Sequence, residues 1–207
     1  MKVIKVLAVS AAGLAAVVAV VAVRPVGSIA ADSALTAEAV ADANDNLHVP
    51  ADYRTTYQFL GTWAVAADQE QGSAELHDVY ASPGTISAYR KDGDFPDGTV
   101  LVKEVHRAAT GPMTTGIVSH ADSLRGWFVM VKESSGRFAS KNHNVWGDGW
   151  GWSWFDSGNP LTASRNLPLP GGGPAPSTNY RESCKPCHQP ARATDWIYVQ
   201  GYPPLRR

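Results

Sequence analysis

The clearest periodicity in the chain is a two-residue alternation from Thr99 to Arg107. It places Leu101, Lys103 and Val105 on one face of a strand and Val100, Val102, Glu104 and His106 on the other. Trp127 to Lys132 is a second strand run, apolar on both faces and so expected inside a sheet. A third carries Trp150, Trp152 and Trp154 at alternate positions, on one face. Glu75 to Ala81 also has strand character. Helical signals are short. Asp52 offers a cap for Tyr53 to Leu60, which Gly61 ends, and Ser82-Pro83 offers an N-cap and a first-turn proline for a helix to Lys91. Asp92-Gly93 and Pro96-Asp97-Gly98 read as turns, and Leu167 to Pro176, rich in proline and glycine, reads as a connecting loop. Strong strand runs separated by short helices predict an α+β fold, mainly an antiparallel β-sheet with a few short helices.

The first 31 residues follow another pattern. Lys2 and Lys5 precede an uncharged run from Val6 to Val23, and Ser28, Ala30 and Ala31 then supply small residues for cleavage. This is the layout of a signal peptide. The rival is a retained N-terminal anchor, because the run reaches the lower edge of the ~17–25 apolar residues that span a bilayer. Either way the rest of the chain is expected in the periplasm. Residues 32–46, rich in Ala, Asp and Asn, read as a flexible leader before a domain of residues 47–207. Loss of the first 31 residues removes three of the 18 basic residues and none of the 19 acids, moving the net charge from −1 to −4. No basic field for nucleic acid exists, and 2 cysteines are too few for a disulfide scaffold.

Those two cysteines instead form Cys184-Lys185-Pro186-Cys187-His188. In an exported chain, C-x-x-C-H is the attachment motif of a c-type haem. Two thiols a helical turn apart reach the two vinyl groups, and the adjacent histidine ligates the iron. A zinc site would need four ligands and a thioredoxin-like dithiol an earlier place in the chain. No methionine follows His188; Met130 lies in an apolar strand, and His48, His120 and His143 lie in loop-like sequence. An open iron that binds small ligands is therefore expected. Lys103 shares its face with Leu101 and Val105. It is either a lysine snorkelling from an edge strand or a desolvated amine able to act as a nucleophile. The tryptophan stripe reads as core, with an electron path as the alternative.

At this point the chain resembles the cytochrome P460 family. The matching stretches are Tyr53-Arg54, Leu60-Gly61-Thr62, Val79-Tyr80, Asp97 to Glu104, Trp150, the late Cys184 to His188 motif and Tyr202-Pro203. The resemblance implies one haem c per chain, attached through Cys184 and Cys187 with His188 as proximal ligand, and Lys103 bonded to the porphyrin. It further implies a homodimer, oxidation of hydroxylamine with nitric oxide to nitrous oxide, and a soluble electron acceptor such as a c-type cytochrome. Two positions depart from the pattern. Phe128 stands where the family's hydroxylamine oxidisers carry a distal carboxylate, with Glu133 a poor substitute. His77 replaces an arginine and is a candidate for proton transfer. Phe128 points toward the related cytochromes c′-β, which implies the alternative of a non-catalytic protein binding nitric oxide or carbon monoxide.

Overall fold

The computed structural model describes residues 37–68, 71–168, 174–176 and 179–207. The expected signal or anchor, residues 1–31, lies outside the described residues. Six strands form one antiparallel sheet: β1 (Gln58–Ala66), β2 (Ser73–Ala81), β3 (Val100–Met113), β4 (Gly116–Lys132), β5 (Trp146–Gly147) and β6 (Trp150–Asp156). Their spatial order is β1-β2-β3-β4-β6-β5, so β3 and β4 are interior, as their apolar runs predict. Helices are few and short: α1 (Tyr53–Thr56), α2 (Thr85–Asp92), α3 (Tyr180–Ser183) and α4 (Lys185–His188). The expected fold class holds.

The sheet divides two cores. On one face Val100, Val102, Val129, Val131 and Phe155 pack against Val40, Leu47, Tyr53, Phe138 and Trp146. On the other, Leu101, Met130, Trp150 and Trp152 meet Tyr180, Trp196, Ile197 and Tyr202 from the C-terminal segment. The alternation read from Thr99 to Arg107 thus assigns each β3 side chain to its proper layer.

Distant stretches of the chain are joined by specific contacts. Glu104, 3% exposed, accepts hydrogen bonds from the Tyr53 hydroxyl and from Arg54 Nε, and lies 2.8 Å from His106 Nε2. Trp127 Nε1 donates to the same Tyr53 hydroxyl at 2.8 Å. Tyr53-Arg54 therefore braces α1 onto the back of β3. Gly61, at φ +148°, lies where a Cβ would come within 3.4 Å of Gly201 O and 3.7 Å of Pro203. This close approach seats Tyr202-Pro203 on β1.

Several expectations are corrected. The helix expected over Tyr53 to Leu60 stops at Thr56. Thr55 and Thr56 return their hydroxyls to Asp52 O at 2.9 and 3.0 Å, and pairing with β2 claims Gln58 onward as a strand. The helix expected from Ser82 starts at Thr85, with Gly84 as its N-cap at φ 85°; Ser82 Oγ instead accepts the Val100 N–H at 3.0 Å. Both β3 and β4 run beyond the expected strands into a polar hairpin, so His120 is a strand residue rather than a loop one. Small residues such as Ala108, Ala109 and Gly111 carry too little contrast for alternation to show there. Within the expected leader, residues 40–46 pack onto the domain: Val40 is 1% exposed, and Trp146 Nε1 donates to Asp45 O at 2.7 Å. The loop expected from Leu167 to Pro176 contains a short antiparallel pair, β7 (Asn166–Pro168) with β8 (Pro174–Pro176), while residues 169–173 lie outside the described residues.

Candidate cofactor site

Strand register builds one wall of the site. Lys103 is paired with Val79 of β2 and Phe128 of β4, Val105 with His77, and Met130 with Trp152. Paired residues share a face, so all of these look toward the C-terminal segment. Between wall and segment lies a cavity of about 410 Å³, lined by Glu75, His77, Lys103, Phe128, Cys184, Cys187 and His188 among apolar neighbours. That volume and lining are typical of a small-molecule or cofactor site.

The segment is held at its start. Asn179 Oδ1 accepts the Glu182 N–H at 3.1 Å and caps α3. Tyr180 stacks on Trp152 with an interplanar angle of 8°, and its hydroxyl donates to Asp148 Oδ2 at 2.9 Å. Lys185 Nζ lies 2.8 Å from that same oxygen. Gly147 leaves room for this contact, since a Cβ there would come within 2.0 Å of the Tyr180 hydroxyl. Cys184 and Cys187 follow as free thiols one helical turn apart, and the His188 N–H donates to Cys184 O at 3.3 Å. Burial pushes the Cys184 thiol up to about 12.

His188 has a defined tautomer. Its Nδ1 lies 2.7 Å from Trp196 O, a carbonyl that can only accept, so Nδ1 carries the hydrogen and Nε2 keeps its lone pair. Burial lowers the imidazole pKa to about 4; the Trp196 bond opposes that shift and the Lys103 charge adds to it. Trp152 meets the ring edge-on at 5.0 Å.

Lys103 is not a snorkelling edge residue, because β3 lies between β2 and β4. Its amine sits 4.4 Å from the Phe128 ring centroid. Burial lowers its pKa below the ordinary lysine value, and the Glu75 carboxylate opposes that shift. Phe128 packs against Trp154 at 4.6 Å, beside Val105 and Leu167. Met130, 8% exposed, belongs to the core and also reaches the cavity wall. Trp150, Trp152 and Trp154 are no more than 3% exposed and pack in the core on the cavity side of the sheet.

A carboxylate missed in the sequence also lines the cavity. Glu75 Oε2 lies 2.9 Å from His77 Nε2, and Arg125 Nη1 donates to the other carboxylate oxygen. Burial works to raise the Glu75 pKa, but the bonds from His77 and Arg125 outweigh it and hold the group below the usual carboxylate range. Burial lowers the His77 pKa, Lys103 adds to the effect and Glu75 resists it. The signal was present: Glu75 and His77 are two apart on a strand and must share a face. Arg125 carried no comparable cue, because it is the unpaired residue of a bulge between Leu124 and Gly126, where the alternation breaks. Glu133 is buried elsewhere, accepting from Ser135 N and Gly136 N at 2.9 and 3.1 Å.

Two free thiols a turn apart, a neutral imidazole with Nδ1 committed, and a largely apolar cavity make a donor set that fits a covalently attached haem. A sequence model of the family described as Cytochrome P460 matches residues 50–199. No curated protein matches the chain.

Proposed function

The chain belongs to the cytochrome P460 family, and on that premise we propose that it is an exported c-type cytochrome that oxidises hydroxylamine with nitric oxide. Family membership implies bound haem c. Cys184 and Cys187 would hold that group by thioether bonds and His188 Nε2 would ligate its iron; when bound, the group supplies the redox chemistry. The uncharged run ahead of the domain supports a periplasmic location, and a soluble electron acceptor and a homodimeric state complete the reading.

The observation that carries the proposal is the placement of Lys103. A desolvated amine is directed into the same cavity as the C-x-x-C-H thiols. Burial favours the neutral amine, the form whose lone pair would bond a porphyrin carbon in exchange for one N–H and one C–H hydrogen, with the two protons and two electrons released passing to an added oxidant such as a peroxide. Joining one hydroxylamine and one nitric oxide to give nitrous oxide and water releases one proton and one electron. Phe128 cannot take that proton. His77, held by Glu75 through Nε2, offers its second ring nitrogen as the acceptor, and Arg125 holds Glu75 in turn.

A second reading rests on Phe128. Its contact with Trp154 makes this part of the wall apolar, which suits a protein that binds nitric oxide or carbon monoxide without turnover. Dye-coupled oxidation of hydroxylamine by the haem-loaded protein separates the two. The proposal expects turnover that is lost in Lys103→Leu. Tight nitric oxide binding with no turnover would establish the gas-binding reading instead.

A further inference from the structure

The carbonyl that orients His188 sits on an unusual piece of backbone. Asp195 and Trp196 are consecutive residues in the left-handed region, at φ 55° and 68°. Asparagine and aspartate tolerate that region, whereas a bulky residue such as tryptophan rarely adopts it. Some other interaction must hold the pair, and the Asp195 side chain supplies it. Lys132 Nζ lies 2.8 Å from both carboxylate oxygens, donating in line to Oδ1 and facing Oδ2 as a charge. Trp150 Nε1 donates to Oδ1 at 3.1 Å. Both donors stand on the sheet. Lys132 ends β4, Trp150 begins β6, the two are register partners, and Nζ lies over the Trp150 ring at 5.1 Å. Trp150 is fully buried and cannot move to follow a loop.

We infer that Asp195 is a positioning residue for His188: its clasp on Lys132 and Trp150 fixes the Asp195-Trp196 turn so that the Trp196 carbonyl receives the His188 Nδ1–H. Backbone bonds from Trp196 N to Ala191 O at 2.9 Å and from Ile197 N to Thr194 O at 3.2 Å close the turn, but they tie it only to its own segment. The clasp ties it to the sheet that forms the opposite wall of the cavity. A hydrogen bond at Nδ1 makes the imidazole a stronger donor through Nε2. Asp195 therefore adjusts the electron density that His188 gives to a metal without touching either. This inference rests on His188 as the axial ligand and not on hydroxylamine as the substrate.

The test uses the haem-loaded full chain, read by the ferrous iron–histidine stretching band in resonance Raman and by the reduction potential. Asp195→Ala is expected to move the band to lower frequency and to raise the potential, as the Nδ1 bond weakens. Asp195→Asn, which tolerates the left-handed region and still accepts from Trp150, is expected to stay nearer the parent protein. Lys132→Met leaves residue 195 intact and guards against poor folding of the alanine variant; it should shift the band in the same direction. An unmoved band and potential in the alanine variant or in Lys132→Met, even with a lowered melting temperature, would reduce Asp195 to a structural residue and overturn the inference. Absence of the band in the parent protein would overturn the assignment of His188 as ligand, and the inference with it.

Discussion

Replacement of Glu75 by glutamine tests the proton-accepting role of His77 without requiring turnover. The parent pair is close, with Glu75 Oε2 2.9 Å from His77 Nε2, and both side chains are mostly buried, at 12% and 16% exposure. A charge-assisted hydrogen bond of this kind is worth ~1.5–3 kcal/mol. Glutamine loses the charge and one of the two acceptor oxygens, and the oxygen it keeps can still accept from His77 Nε2, so the lower end applies. At ~1.4 kcal/mol per pH unit, the His77 pKa falls by about 1. The sign is fixed, because the carboxylate is what resists the lowering by burial and by Lys103. The assay is the rate of cyanide binding to the ferric haem-loaded protein as a function of pH. Hydrogen cyanide must give up its proton on binding, so a neutral base in the pocket speeds association. Glu75→Gln should move the acid limb of the profile about one unit lower and, His77 being a weaker base, reduce the plateau by roughly threefold. His77→Phe should remove that limb. An acid limb that stays in place in Glu75→Gln, or that survives in His77→Phe, would refute the role assigned to this pair.

Three further outcomes follow from particular contacts. The haem-free protein should lose stability as pH falls from 6.5 through about 4, where buried neutral His188 must charge; the gap corresponds to about 3 kcal/mol. The loaded protein, with His188 ligated, should lack that loss in pH-dependent urea titrations. Gly126→Ala places a Cβ 2.0 Å from Phe155 O at φ +152°. It should cost about 3 kcal/mol, lowering the melting temperature by on the order of 10 °C. Glu104→Gln should cost about 2 kcal/mol at neutral pH by weakening the brace to Tyr53, Arg54 and His106. Burial works to raise the Glu104 pKa, but the bonds from Arg54, Tyr53 and His106 hold it below its ordinary value. Its contribution is therefore present above pH 4.5 and fades as the pH drops through the folded-state value, so urea titrations of parent and variant should converge in acid.

What the sequence revealed followed from strength of contrast. The two-residue period from Thr99 to Arg107 assigned each side chain to a face, whereas burial of the Lys103 amine became clear only once β3 was seen between β2 and β4. The Cys184 to His188 motif is local, so its three candidate donors are read from adjacent residues. The Glu75–His77–Arg125 group is different. It joins β2 to the middle of β4 across β3, and nothing in the local pattern at Arg125 announces the contact. The helix expected over Tyr53 to Leu60 failed because threonine back-bonding and pairing with β2 outweighed a weak helical period. Val40 and Asp45 were missed because one buried valine in an Ala- and Asp-rich stretch carries no period. The clasp at Asp195 depends on positive φ angles, which aspartate and tryptophan do not advertise as glycine would.

The central claim is that Lys103 completes a P460-type site. It is tested most directly by mass spectrometry of proteolytic haem peptides from the fully loaded, periplasmically expressed protein. The account predicts a single haem joining the Cys184 to His188 peptide to the peptide that contains Lys103. Recovery of the Lys103 peptide unmodified, with haem held only through Cys184 and Cys187, would contradict it.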